Sequence, residues 1–283
     1  MNRIIACIDG SSAASAVCDC AIWACRRTGA PLTLLHVLDR GRYPEPGDLS
    51  GAIGLGSREQ LLDELSKLDE QRGKLALEQG QLMLEAAGAR VLAAGLEAPE
   101  LSQRYGDLVE VLQELAPQIR LLVIGRRGVK SRQQGLHVGS HLESVTRTLQ
   151  RPMLIVPETF KEPGSLLLAY DASPNAQLAV RMLAASPLFK GLPLHLLMVG
   201  KDSEEHREAL ADAEELLENA DFLVTTEIRK GEVEQTLLDY QQEHGLDLLV
   251  MGAHGHSRIR QFFLGSTTHH MLRISTTPLL LLR

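Results

Sequence analysis

The chain has 283 residues, 44% hydrophobic but only 4% aromatic, and a formal net charge of −7. That length suits two domains with aliphatic cores, and the acidic balance argues against a surface built for nucleic-acid phosphates. No uninterrupted apolar run approaches the roughly 20 residues a membrane-spanning helix needs, and the start shows no leader with a cleavage pattern, so no membrane partner and a cytoplasmic location are expected.

Residues 2 to 8 read as a strand and 12 to 28 as a helix carrying Ala13, Ala16, Ala21, Ile22 and Trp23. A second strand spans 31 to 37, and the Gly- and Pro-rich stretch from Asp39 to Ser57 reads as a surface loop. Leu61, Leu62, Leu65, Leu68, Leu75 and Leu82 fall at helical spacing within 58 to 87. A strand near 89 to 94, a helix at 107 to 116, a strand at 120 to 124, a helix from 140 and a strand at 153 to 156 complete the first half. Residues 158 to 165, with Pro163 and Gly164, read as a linker dividing a domain of 1–157 from one of 165–283. The second half opens with the apolar run from Leu166 that ends at Asp171. Ser173-Pro174 then starts a helix, with a serine cap and proline at its first position. Leu192 to Val199 is its second strand, Glu204 to Asn219 a helix, Phe222 to Ile228 the third strand, and the helix after Gly231 stops at Gly245.

The two halves repeat each other. Ile119 to Gly128 aligns with Leu246 to Gly255, and Gly139-Ser140 with Gly265-Ser266. Past each of those glycines a proline, Pro152 or Pro278, opens an apolar run, and Arg104 to Val109 matches Arg229 to Glu234. Asp9 and Asp171 close the first strands. A repeat this long is a whole domain, since solenoid units run about 20 to 50 residues. Alternating strands and helices imply right-handed βαβ units and a parallel sheet covered on both faces. Such sheets bind ligands beyond the carboxyl ends of their strands, where strand order reverses.

Gly252, Gly255, Gly265 and Ser266 supply what a phosphate-binding loop needs: backbone unobstructed by Cβ atoms, then the start of a helix with unpaired N–H groups. Asp171 suits either ligand recognition or a simple turn. His254, His256, His269 and His270 crowd the same loop; no carboxylate or cysteine completes a metal site with them, so solvated or phosphate-contacting imidazoles are preferred. Arg126, Arg127, Lys130 and Arg132 fit either a phosphate clamp or a solvated basic loop. Cys7, Cys18, Cys20 and Cys25 lack C-x-x-C spacing and read as small buried side chains in a reducing compartment. The chain has no Walker, G-x-G-x-x-G or G-x-S-x-G pattern, and no metal-holding acid for phosphoryl transfer can be named. Dedicated catalysis is not expected; weak hydrolysis of a bound nucleotide stays open.

With these residues in place, the chain resembles the universal stress protein family, whose nucleotide-binding members carry G-x2-G-x9-G-(S/T). The second half matches the pattern throughout. The first, with Gly125, Gly128, Gly139 and Ser140, has ten residues between its second and third glycines and is degenerate. The resemblance covers the full length and is to tandem members of the universal stress protein E type. It implies an α/β fold of two doubly wound, five-stranded parallel sheets of order 3-2-1-4-5, like the adenine nucleotide alpha hydrolases. The halves would pair through Met153–Val156 and Leu279–Leu282 as an intrachain pseudo-dimer, with room for a homodimer besides. It also implies ATP or another adenine nucleotide as ligand, with or without magnesium, held more by the second half than by the first. Asp171 and Val199 would flank the adenine and ribose, and Gly252, Gly255, Gly265, Ser266 and Thr267 would hold ribose and phosphates. The first-half counterparts are Asp9, Val37, Gly125, Gly128, Gly139 and Ser140. The implied function is a nucleotide-binding regulatory or stress-response factor acting on an unidentified protein partner. A nucleotide-free interaction scaffold and a slow ATPase are the alternatives.

Overall fold

A computed structural model of the chain describes residues 2–39, 57–126, 128, 140–252 and 265–283, with 57–63, 65, 66, 69 and 140 as backbone. The first half runs β1 (Arg3–Cys7), α1 (Ala14–Thr28), β2 (Leu32–Leu38), α2 (Ser57–Ala93), β3 (Glu100–Tyr105), α3 (Leu108–Leu115), β4 (Ile119–Gly125), α4 (Ser140–Thr148) and β5 (Met153–Val156). The second runs β6 (Leu166–Ala169), α5 (Pro174–Ala185), β7 (Pro193–Val199), α6 (Glu204–Glu218), β8 (Leu223–Arg229), α7 (Val233–Glu243), β9 (Leu248–Gly252), α8 (Ser266–Ile274) and β10 (Leu279–Leu282).

The ten strands form one sheet in the order β3-β2-β1-β4-β5-β10-β9-β6-β7-β8. Each half therefore contributes a parallel set of the expected 3-2-1-4-5 pattern. The sets join where β5 and β10 run antiparallel, with Leu279 opposite Ile155, Leu280 opposite Leu154 and Leu281 opposite Met153. All eight residues of these two strands are buried, and fully burying one such side chain stabilises by about 1.5–3 kcal/mol. The halves are accordingly one folded body, and the joint covers two apolar edges that would otherwise invite aggregation.

Both cores cross the joint. On one face α1, α2, α5 and α6 pack over the sheet through Val17, Ala21, Leu84, Val91, Val180 and Leu217. On the other, α3, α4, α7 and α8 do so through Leu112, Val145, Tyr240 and Met271. The first face is tied across the halves by Trp23, whose ring lies 6.0 Å from Phe160 and 5.7 Å from Phe189, and by Arg27, which donates to Leu188 O at 2.9 Å.

Local signals set the helix ends. Asp107 accepts from the Val109 and Glu110 amides at the start of α3, and Ser173 accepts from Ala176 N at the start of α5, with Pro174 in its first turn. Gly245, at φ 61°, follows the C-cap His244 of α7. One expectation fails: residues 89–94 are not a strand. Val91 continues the face of α2 that buries Leu84, so α2 runs unbroken to Ala93, and the third strand is Glu100–Tyr105. That strand lies at the sheet edge with Glu100, Leu101 and Arg104 exposed, so it lacks the apolar run that marks a buried strand. The expected Asp39–Ser57 loop falls almost wholly outside the described residues.

Candidate functional site

Strand register gathers the predicted residues of the second half at one rim. Ala169 of β6 is level with Leu197 of β7 on one side and Met251 of β9 on the other. Asp171 and Val199 therefore sit two residues past that level and Gly252 one past it. The connection from β6 leads away to β7 while β9 lies on its other flank, so this is the point where strand order reverses.

Asp171 is exposed and closes a tight turn by accepting from Ser173 N at 3.0 Å. Between them Ala172 adopts φ 59°, a left-handed conformation unusual for a residue with a Cβ. Gly252 is fixed by close approach: a Cβ there would stand 2.9 Å from Asn175 O and 3.2 Å from Ala176 N. The backbone of the first turn of α5 thus rests on the tip of β9, a packing reason for this glycine beyond any ligand.

Gly265 is the N-cap of α8 and provides no side-chain acceptor, and the first turn contains no acidic residue. Ser266 and Thr267 stand on that turn, exposed and half-buried. Among the described residues the leading amides of α8 thus have no side-chain cap and no competing carboxylate, and the helix dipole adds a partial positive charge. Gly255, His254 and His256 lie outside the described residues. His270 is exposed, and His269 faces the other half, its Nε2 2.9 Å from Glu143 Oε1. Among the described residues no cluster of three or more His, Cys, Asp or Glu could hold a metal ion.

In the first half Asp9 repeats the turn, accepting from Ser11 N at 3.0 Å. Cys7 is level with Leu35 and Ala6 with Val123, which places Asp9, Val37 and Gly125 at the opposite rim. Gly128 lies against Asp9, where an added Cβ would stand 3.3 Å from Oδ2. Gly139 is outside the described residues, and Ser140 begins α4. Arg126 reaches across to the second half, its Nη2 donating to Thr277 O at 2.8 Å. Cys18, Cys20 and Cys25 are buried in α1, and burial pushes the thiols of Cys18 and Cys25 up to about 11 and about 12, so they stay protonated.

The universal stress protein family matches residues 1–157 and 198–283. The chain belongs to the universal stress protein family. Universal stress protein Slr1230 of Synechocystis sp. is 35% identical over 287 residues, covering 100% of both chains. Universal stress protein YxiE of Bacillus subtilis is 30% identical over 80 residues, 28% of this chain and 54% of its own. In fold, the chain is similar to a universal stress protein from Archaeoglobus fulgidus, with a TM-score of 0.70 at 20% identity, covering 100% of this chain and 96% of that one. This universal stress protein thus has two tandem units in one chain, and no described helix is long and apolar enough to cross a membrane.

The sequence missed three features of the site. Ala172 has no glycine or asparagine to announce its left-handed backbone. The Gly252–Asn175 approach links residues far apart in the chain. The Glu143–His269 contact depends on the joint between the halves; its one sequence signal is that both residues stand four places after the third glycine of their repeats.

Proposed function

We propose that this universal stress protein binds ATP or a related adenine nucleotide in its second half and acts as a cytoplasmic regulatory or stress-response factor. One observation carries the reading: Asp171, Val199 and Gly252 share one rim with the uncapped start of α8. The nucleotide's phosphates would lie on the α8 amides with the hydroxyls of Ser266 and Thr267 beside them, and Asp171 and Val199 would border adenine and ribose. Gly252, Gly255 and Gly265 complete the pattern around the phosphates. Magnesium would arrive on the nucleotide, since the first turn of α8 carries no carboxylate for it. The degenerate first-half motif of Asp9, Val37, Gly125, Gly128, Gly139 and Ser140 would bind more weakly. Ligand could act as a signal only by favouring one arrangement of the protein over another. Calorimetry with ATP and with AMP tests the reading. Saturable heat with ATP, smaller with AMP, is expected; no heat at millimolar ligand would remove it.

A further inference from the structure

Helix α2 has 37 residues, a length of about 55 Å at 1.5 Å per residue. Its counterpart α6 has 15. The face that packs on the sheet carries the buried residues Gly73, Ala76, Gly80, Leu84, Gly88 and Val91. Before Gly73 the described side chains Glu64, Lys67, Leu68, Glu70, Gln71 and Arg72 are all exposed.

The outward face is not polar throughout. Leu68, Leu75 and Leu82 are 49%, 64% and 65% exposed, and they recur every seven residues. At 3.6 residues per turn they lie within about 40° of one another and roughly 160° from the buried Gly73 and Leu84. A leucine at every seventh residue fills one of the two apolar heptad positions that a coiled-coil partner covers. Lys67, Lys74, Glu78 and Glu85 share one flank of the seam, about 60° to 100° from Leu75, and all four are exposed. The flank is basic toward the start of the helix and acidic toward its end.

We propose that α2 is a self-association surface on which a second copy of this chain docks its own α2 antiparallel. Turned about a two-fold axis near Leu75, Leu68 packs by the partner's Leu82. The same axis brings Lys67 to the partner's Glu85 and Lys74 to the partner's Glu78. Both charge pairs are centred on position 76, one residue from the middle leucine, so the apolar and the charged patterns select one register. Among the described residues each chain has a single such seam, since α6 contributes none of the exposed large apolar side chains. The assembly therefore closes as a dimer. One helix pair buries less than the roughly 800 Å² per partner of a standard interface, so the dimer is expected to dissociate in the micromolar range.

Sedimentation velocity of the full chain from low to high micromolar concentration tests the proposal. The wild type should shift from monomer to dimer, and Leu75→Glu should raise the dissociation constant by about 30-fold or more. Lys67→Glu/Lys74→Glu and Glu78→Lys/Glu85→Lys should each weaken the dimer, and an equimolar mixture of the two variants should restore it. A monomer at every concentration would overturn the proposal. So would a dimer indifferent to Leu75→Glu, or a mixture no tighter than either variant alone. Should Leu75→Glu fail to fold, the charge exchange, made at exposed positions, decides by itself.

Discussion

Glu143 and His269 occupy equivalent positions of the repeat, four residues after Gly139 and Gly265, and meet across the joint at 2.9 Å. In a dimer of identical halves this place near the two-fold axis would set a residue against its own copy. Fusion into one chain lets the two sides diverge into a complementary pair. The contact joins α4 to α8, the helices that begin at the two glycine motifs. Arg283 adds a second tie by donating to Leu149 O at 3.1 Å. A double-mutant cycle of Glu143→Gln and His269→Gln, read by urea unfolding, should give a coupling of at most about 1 kcal/mol, since both side chains are about one-third exposed. Strict additivity would show that the contact contributes nothing to the joint.

Ala172, held at φ 59°, carries backbone strain beside Asp171. A residue with a Cβ loses roughly 1–2 kcal/mol in the left-handed region, and glycine gives back part of that through its freer unfolded chain. Ala172→Gly should therefore raise stability by about 0.5–1 kcal/mol in urea or thermal unfolding. A loss of stability would mean that the turn does not require this conformation.

His195, on β7, accepts from or donates to the Tyr240 hydroxyl through Nδ1 at 2.8 Å, and its ring lies 5.0 Å from that of His244. Arg229 stacks over Tyr240 at 4.4 Å, with Glu227 and Glu243 paired to Arg229. Desolvation, then the neighbouring His244, holds the His195 imidazole below its ordinary 6.5, with Glu227 opposing. The unfolded chain therefore takes up the proton first. The contribution of His195 is intact above pH 6.5 and is lost as pH falls from there through the depressed folded value. Thermal melts should show the wild type losing stability on acidification through this window more steeply than His195→Gln. Equal slopes would contradict it.

The α/β alternation and the duplication were legible because each has a local signature, a change of hydrophobic period or repeated glycines, whereas the pairing through the last strands came from the family resemblance, with the apolar runs after Pro152 and Pro278 only compatible with it. The third strand was not legible. Val91-Leu92-Ala93-Ala94 has the apolar density of a short strand, while Val91 at seven residues from Leu84 equally extends a helix, and only packing decides. The true strand, Glu100–Tyr105, hides because an edge position leaves it polar. At the site, glycine spacing revealed where a loop must be bare. It could not reveal that Gly252 is also pinned by the Asn175 backbone, a contact between distant segments.

That double constraint bears on how the site is probed. Gly252→Ala must displace the first turn of α5 and should destabilise by about 1–3 kcal/mol whether or not nucleotide binds. Lost binding in that variant would be ambiguous. Ser266→Asp separates the two effects. A carboxylate in the uncapped first turn of α8 favours the helix by about 0.3–1 kcal/mol and repels phosphate from the same amides. Its melting temperature should hold or rise; a fall would mean that α8 starts differently.

Native mass spectrometry of the full chain with ATP, wild type beside Ser266→Asp, tests the central claim most directly. One tightly held nucleotide per wild-type chain, missing from the folded variant, is the expected result. A wild type that holds none at millimolar ATP, or a variant that holds it as firmly, would contradict a phosphate site on α8.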